Sequence, residues 1–380
     1  MNKHTLTLAA AMAAPMATQA EITISDTISI TATIQAEIVN WEVANGNENA
    51  VAERVSFQPT QFEDMDRQTL SKDYWGSILN EGPNHIQFDF DEKLADGLTA
   101  EARYAAAFST VGNFLSNPIG QETWLGFKTD AGFHMRYGTL TGVYKSSHKL
   151  IDPWAFTSLQ SRGTGGGMSG DHYIKVSSCD NTYCIITDES TNGLGLTNEG
   201  WIEGAFEIGI KSSGFSAKVQ GVVDDASEME RAGLVELRFT APHFGVWLAG
   251  SFADLELKGM TNENSTNWKI GGYYHFGKLT FGLQYENAEI GTLDNNPEGG
   301  TYILGSLDFT KNNVTIAGWV AGYLSDIEDR MPNEDALSWA IGAKYHFSKR
   351  TQIYVGYRET NSDNDFRDEN VATFGIKHVF

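Results

Sequence analysis

The 380-residue sequence predicts an all-β fold: a transmembrane, antiparallel, up-and-down β-barrel of about 16 strands. Three observations predict it. Segments of about ten residues recur in which every second residue is apolar. The connections between these segments alternate between short and long. The last segment keeps the alternation up to Phe380, whereas the chain ends of soluble domains are usually polar and frayed.

Residues 1–20 are predicted to be a secretory signal peptide. Lys3 lies near their start, a short apolar run follows, and small residues precede the predicted cleavage after Ala20. This is the pattern of a secretory signal peptide. The apolar run is far below the ~18 residues of a membrane-spanning helix. Residues 21–380 are then expected to form a single barrel domain; a buried N-terminal helix is the alternative for the first 20 residues.

The charge and the cysteines limit the partners. The formal net charge of −22 argues against nucleic acid, which requires basic patches. Cys179 and Cys184 are predicted to form one disulfide in an exported chain, with two free thiols as the alternative. No Cys/His set has zinc spacing, and no metal or cofactor is predicted.

The predicted strands are read from the alternation. In 264–278, for example, Trp268, Ile270 and Phe276 fall on one side, and Lys269 and His275 fall on the other. A period of two would scatter these residues around a helix. The predicted strands span 21–41, 84–93, 98–110, 121–129, 132–144, 199–213, 214–226, 229–243, 245–259, 264–278, 279–291, 299–313, 314–329, 334–349, 351–364 and 369–380.

The connections indicate an up-and-down barrel whose two rims differ. Tight turns such as "DAG", "SSG" and "SKR" alternate with long acidic loops such as "DDASEME" and "NSDNDFRDEN". A barrel of about sixteen strands is too wide for side chains to fill, so polar residues must line water and apolar residues must face lipid. The short turns are expected at the periplasmic rim and the acidic loops outside, where they are a solvated rim or bind divalent cations shared with lipopolysaccharide.

Four stretches resemble one known family. They are "AIGAKYHFSKRTQIYVGY" (340–357), "GIKHVF" (375–380), "ETWLGFKTDAGFHMRYGTL" (122–140) and "DPWAF" (152–156). Together they resemble the general, non-specific porins of the Gram-negative outer membrane, and the likeness follows the mature chain in strand order. The resemblance implies a homotrimer, a third loop folded into the lumen, and passive diffusion of small polar solutes and ions.

The resemblance also assigns roles to two parts of the chain. The terminal Phe380, with Ile376 and Phe374 at alternate positions, resembles the signal that the barrel-insertion machinery reads. Residues 145–198 exceed the usual length of a structureless connection, and the resemblance makes them the constriction loop. Its candidate residues are Asp152, Trp154, Arg162 and Asp171, with Cys179–Cys184 pinning its tip; the alternative is an external loop with an ordinary disulfide.

Porins of this kind place basic residues on the barrel wall opposite the loop, where charge screens solutes. Alternation places Arg103, Lys128 and Arg136 on the lumen side. The family commonly has Gly-Arg near "YGTL", but this chain has Gly138-Thr139, and Arg136 has the opposite parity from position 139. Arg238 and Glu236 are also predicted to face the lumen, as a salt bridge.

Other functions are less well supported. The sequence has no Gly-x-Ser-x-Gly elbow, and His134, His275 and His346 are read as wall groups, so no enzyme is expected. The rivals are a solute-specific channel with an aromatic track (Trp154, Phe156, Tyr173, Tyr183) and a surface adhesin or receptor. The expected partners are a second and third copy, lipopolysaccharide and outer-membrane lipid, the insertion machinery, and small solutes. The acidic total favours cations, but the constriction decides the ion preference.

Overall fold

The computed structural model describes residues 22–25, 27–43, 73–78, 84–108, 120–161, 201–222, 229–255, 263–290, 298–325, 335–362 and 369–380. The predicted signal peptide, the cysteine pair and most of the acidic loops lie outside these ranges. So does the constriction loop beyond position 161, with Arg162 and Asp171.

The described residues form one antiparallel sheet that closes on itself. The elements are β1 (Ile22–Ser25), β2 (Ile28–Val43), β3 (Asp73–Ile78), β4 (His85–Ala95), β5 (Leu98–Ala107), β6 (Gly120–Thr129), β7 (Phe133–Thr141), α1 (Val143–His148), β8 (Trp201–Ser212), β9 (Phe215–Val222), β10 (Met229–Thr240), β11 (Phe244–Leu255), β12 (Glu263–Phe276), β13 (Leu279–Ile290), β14 (Glu298–Lys311), β15 (Val314–Ser325), β16 (Ala336–His346), β17 (Thr351–Ser362) and β18 (Glu369–Val379). Sixteen of the strands, β2 and β4–β18, make the barrel, as predicted.

The pairing of β18 with β2 closes the sheet. Its register runs from Glu369 opposite Val43 to Val379 opposite Thr33, and the Phe380 N–H donates to the Ala32 carbonyl at 2.8 Å. Every other barrel strand from β4 onward pairs with its neighbours in sequence. Closure leaves no sheet edge, which is the condition for a β-structure in hydrocarbon.

The first strand differs from the prediction of a single segment over 21–41. The chain instead forms β1, turns at Thr27 and continues as the longer β2. On the other edge of β2, β4 pairs only from Ile28 to Thr33. The strand β3, which the sequence did not predict, pairs with β2 from Glu37 to Glu42. It satisfies backbone groups that β4 does not reach.

The strand β7 was predicted over 132–144 but ends at Thr141, because the chain turns into the short helix α1. No helix in the described ranges is long and apolar enough to cross a membrane. Tight turns fit their sequences: Asn312 of "KNN" has a φ of 55°, a left-handed conformation that Asn tolerates.

The two faces of the sheet have the predicted polarity. On β12 and β13, the outward Ile270 and Leu283 are 52% and 63% exposed. The intervening inward residues Lys269, Gln284 and Glu286 are buried. The outward apolar side chains form the surface that faces acyl chains. Phe374, Ile376 and Phe380, of the proposed assembly signal, also lie outward and exposed.

A charge placed on the outer face tests this orientation. Leu283→Arg, near the middle of β13, is expected to cost about 2–4 kcal/mol because a guanidinium would enter hydrocarbon. Heat-modifiable gel mobility and urea unfolding in lipid vesicles measure the loss of folded barrel. Leu283→Ala is the control. Equal stability of the Arg and Ala variants would contradict a lipid-facing Leu283.

Candidate functional site

Residues 143–161, here called the lumen segment, lie inside the barrel along its wall. The first part is anchored on β9, β10 and β13. The Val143 N–H donates to Gln220 Oε1 at 2.9 Å, and the Tyr144 hydroxyl donates to Glu286 at 2.6 Å. These partners are lumen-facing, so α1 begins inside the barrel.

The second part of the lumen segment is held by β2, β14, β15 and β17. Four side chains of the wall donate to its backbone carbonyls, and one accepts from its N–H. They are Gln35 to Phe156 O (2.7 Å), Trp319 to Leu159 O (2.8 Å), Arg358 to Gln160 O (3.2 Å), Tyr302 to Ser161 O (2.8 Å), and Glu37 from Ser158 N (3.0 Å). The segment therefore satisfies its polar backbone on the wall rather than in water.

An apolar core packs the segment against the wall. Trp154 and Leu159 are fully buried and pack with Trp319, Tyr302 and Tyr354 of the strands. Glycines on β16 and β17 allow the close approach. A Cβ at Gly342 would lie 2.7 Å from Trp154 Cζ2, and one at Gly356 would lie 2.3 Å from Leu159 Cδ1. Part of a lumen that should be wet is therefore packed like a domain interior.

Asp152 and Trp154, two of the candidate constriction residues, hold the shape of the segment. The Asp152 carboxylate accepts from Trp154 N at 2.8 Å and from Ser161 N at 2.7 Å, which ties the middle of the segment to its last residue. The Lys344 ammonium donates to the Pro153 carbonyl and lies 4.5 Å from the centre of the Trp154 ring. Asp152 and Trp154 are both buried, so solutes in the passage do not touch them.

The candidate wall residues are brought together on β5–β7, facing the lumen, and each is paired with carboxylates. Arg103 contacts Asp89 at 2.7 Å and Glu122 at 2.6 Å. Lys128 contacts Asp91 at 2.8 Å and Glu101 at 3.5 Å. Arg136 contacts Glu101 at 2.8 Å and Glu207 at 3.3 Å. The wall is a lattice of alternating charges, not a row of unmatched cations.

Trp124 supports this lattice, and the sequence analysis did not identify it as a lumen residue. Its ring centre lies 4.2 Å from the guanidinium carbon of Arg136 and 5.4 Å from that of Arg103. Stacking on the ring holds both guanidinium groups in place. Trp124, Glu122 and Lys128 all lie at even positions of β6. The alternation could therefore have placed Trp124 on the lumen side.

The remaining polar candidates are wall groups. Arg238 and Glu236 form the expected lumen salt bridge at 2.6 Å. His134 contacts Glu207 at 3.1 Å, and His275 and His346 bond hydroxyls of neighbouring strands. Glu37 was also missed; it accepts from Tyr354 and Ser158 and so joins β2, β17 and the lumen segment.

The family model described as Gram-negative porin matches residues 6–365. The chain belongs to this porin family. The protein is therefore an integral β-barrel of the Gram-negative outer membrane and a porin channel. No curated protein sequence matches it.

Solved structures confirm the fold at low identity. The anion-selective porin from Comamonas acidovorans has a TM-score of 0.67 at 11% identity, with 93% of this chain and 99% of that chain covered. OmpF of Salmonella typhi in complex with daunomycin has a TM-score of 0.63 at 14% identity, with 95% and 100% covered. The in-vitro folded trimer form of OmpT from Vibrio cholerae has 0.62 at 13%, with 93% and 99% covered.

Removing Trp154 is expected to loosen the lumen segment while the barrel stays closed. Trp154→Ala should cost about 3–5 kcal/mol of packing, and the loss should fall on the segment because the β18–β2 closure is made by backbone pairing that does not include the Trp154 side chain. Limited proteolysis should then cut within 143–161 faster, and single-channel current should become noisier. Trp268→Ala on the outer face is the control; unchanged noise and cleavage in Trp154→Ala would contradict the anchoring role.

The charge lattice predicts compensation between partners. Arg136→Gln alone should favour cations and Glu101→Gln alone should favour anions, each by about twofold in permeability ratio at moderate salt. The double variant should return close to wild type, because its net charge is the same. Reversal potentials in a KCl gradient measure this, and a double variant that keeps the full shift of either single variant would contradict the compensation.

Proposed function

We propose that this porin passively conducts small hydrophilic solutes and ions, screened by size and charge where the lumen segment narrows the barrel. The observation that carries the proposal is the anchoring of residues 143–161 on the part of the wall that runs from β9 round to β2. Their bonds reach β2, β9, β10, β13–β15 and β17. The passage is then the gap between this segment and the wall of β4–β8.

The chemistry of that gap suits sieving. Where water is scarce and the walls have low dielectric, the charge that remains after pairing acts strongly on a solute. Charges on the outer loops act weakly on it, because salt screens them beyond about 8 Å. Ion preference is therefore a property of the gap.

We also propose that the barrel functions as a homotrimer whose apolar belt contacts lipopolysaccharide and lipid. The trimer form of the similar OmpT supports this assembly. The outward Phe380, Ile376 and Phe374 are proposed as the part that the barrel-insertion machinery recognises.

The solute-specific rival is less favoured. Its aromatic track needs ring faces open to a sugar, whereas Trp154 is fully buried. The Phe156 ring is already covered by the Lys149 ammonium at 4.6 Å. Tyr173 and Tyr183 lie outside the described residues.

Purified protein in a planar bilayer tests the proposal. We expect stepwise insertion of open channels whose conductance rises in proportion to KCl concentration, and liposome swelling rates that fall smoothly with solute size. Trp154→Ala should admit larger sugars than wild type. Sub-millimolar block by one sugar would establish the solute-specific channel instead, and folded protein without conductance would favour the adhesin or receptor.

A further inference from the structure

The short turns on one part of the barrel rim carry cations that no carboxylate matches. Lys278 lies between β12 and β13, Lys311 ends β14, and Lys349 and Arg350 lie between β16 and β17. All four residues are exposed. None forms an ion pair within the part of the chain that the structure describes, and the turns that hold them contain no carboxylate. These four residues are here called the basic arc.

Backbone hydrogen bonds between neighbouring turns and strands fix the spacing of the basic arc. The Lys278 carbonyl accepts from the Thr310 N–H of β14 at 3.0 Å, and the Asn313 carbonyl accepts from the His346 N–H of β16 at 2.8 Å. Consecutive turns are two strands apart, so they lie about 10 Å from each other along the rim. The arc therefore presents its charges in a row rather than as scattered surface lysines.

The rim of β4–β7 has the opposite character. Glu92, Asp96 and Asp130 are exposed there, and the Lys93 ammonium contacts the Asp96 carboxylate at 3.0 Å. The basic arc is thus confined to one part of the rim and is not a property of every short turn.

The turn between β16 and β17 carries two of the four cations in a fixed arrangement. Ser348 Oγ accepts from the N–H groups of Arg350 and Thr351, both at 3.1 Å. The Phe347 N–H donates to the Thr351 carbonyl at 3.0 Å. These bonds hold Lys349 and Arg350 side by side at the tip of a closed turn. Two adjacent cations of this kind suit a phosphate group, whose oxygens accept charge-assisted hydrogen bonds.

Aromatic rings on the lipid-facing side accompany the lysines of the arc. Each lysine ends a Phe-x-Lys sequence, "FGK", "FTK" or "FSK", whose phenylalanine is outward and exposed: Phe276, Phe309 and Phe347. Tyr345 packs edge-to-face on Phe347, with ring centres 5.0 Å apart. Interfacial aromatic rings lie at the level of lipid head groups, and a neighbouring lysine extends its ammonium towards the polar side. The cations of the arc therefore lie at head-group level, which favours a lipid over a soluble polyanion.

We propose that the basic arc binds anionic phospholipids of the inner leaflet, such as phosphatidylglycerol and cardiolipin. Their phosphates contact the four cations, and their acyl chains lie against the three phenylalanines. The short turns of outer-membrane barrels lie on the periplasmic side, so the arc meets the leaflet that faces the periplasm. The inference rests on the proposed lipid contact of the apolar belt and names its head-group class; it does not depend on the diffusion function.

Lipid binding to the full-length porin in neutral detergent tests the proposal. Phosphatidylglycerol and phosphatidylcholine with the same fluorescent acyl chain are titrated separately, and fluorescence anisotropy reports binding. Wild type should bind phosphatidylglycerol at least about tenfold more tightly than phosphatidylcholine, and this preference should shrink as salt is raised. Lys311→Gln, Lys349→Gln and Arg350→Gln should each weaken phosphatidylglycerol binding about fivefold, and should leave phosphatidylcholine binding unchanged. Excess inorganic phosphate at fixed ionic strength should displace little of the lipid, because it lacks acyl chains.

The matched control removes an exposed lysine from the opposite part of the rim. Lys93→Gln should bind both lipids like wild type, and heat-modifiable gel mobility checks that every variant folds. Equal affinity of wild type for the two lipids, or arc variants that behave like Lys93→Gln, would overturn the proposal. Ready displacement of the lipid by inorganic phosphate would also overturn it, in favour of a site for soluble anions. Absence of binding to either lipid would overturn both the arc and the proposed lipid contact of the belt, whereas conductance tests the diffusion function separately.

Discussion

Hydrogen bonding between β18 and β2 is the constraint on which the rest of the molecule depends. A sheet surrounded by hydrocarbon must leave no unpaired N–H or C=O group, so the last strand has to meet the first one in register. That register runs from Val43 to Thr33. Where β4 stops short on the other edge of β2, β3 completes the pairing. Closure also fixes which side of every strand is inside, and therefore where each charge lies.

Closure of sixteen strands creates an interior that side chains alone cannot fill. The lumen segment deals with part of that space by packing Trp154 and Leu159 on the wall and bonding its backbone to wall side chains. Two buried carboxylates help to hold the segment, and their burial is compensated by hydrogen-bond donors. Glu37 accepts from Tyr354 and Ser158, and Asp152 accepts from two backbone N–H groups. Residues 143–161 are thus bonded to the barrel wall at several points.

The fold could be predicted from the local sequence pattern. The site could be predicted only in part, because it depends on contacts between residues that are far apart in the sequence. The alternation at Trp268, Lys269 and Ile270 needs only neighbouring residues, so strand faces were predictable. The burial of Trp154 depends on Gly342 and on Ala317 O, which accepts from its indole N–H at 3.3 Å across 163 positions. The sequence identified Arg136 as a lumen residue, but not its pairing with Glu101, 35 positions away. The strand β3 was not predicted because it pairs with the part of β2 that β4 does not reach, and only the closed sheet shows which part that is.

Net charge illustrates why composition misleads about selectivity. The total of −22 suggests attraction of cations, yet much of the acidity lies in long loops such as "NSDNDFRDEN", where salt screens it beyond about 8 Å. Inside the barrel, the carboxylates of Asp89, Glu101 and Glu122 contact guanidinium groups at 2.6–2.8 Å, with Arg103 shared by Asp89 and Glu122. A matched pair exerts little field on a passing ion, whereas an unmatched ammonium exerts its full field in a narrow passage. In the proposed passage, a few residual charges therefore outweigh many at the rim.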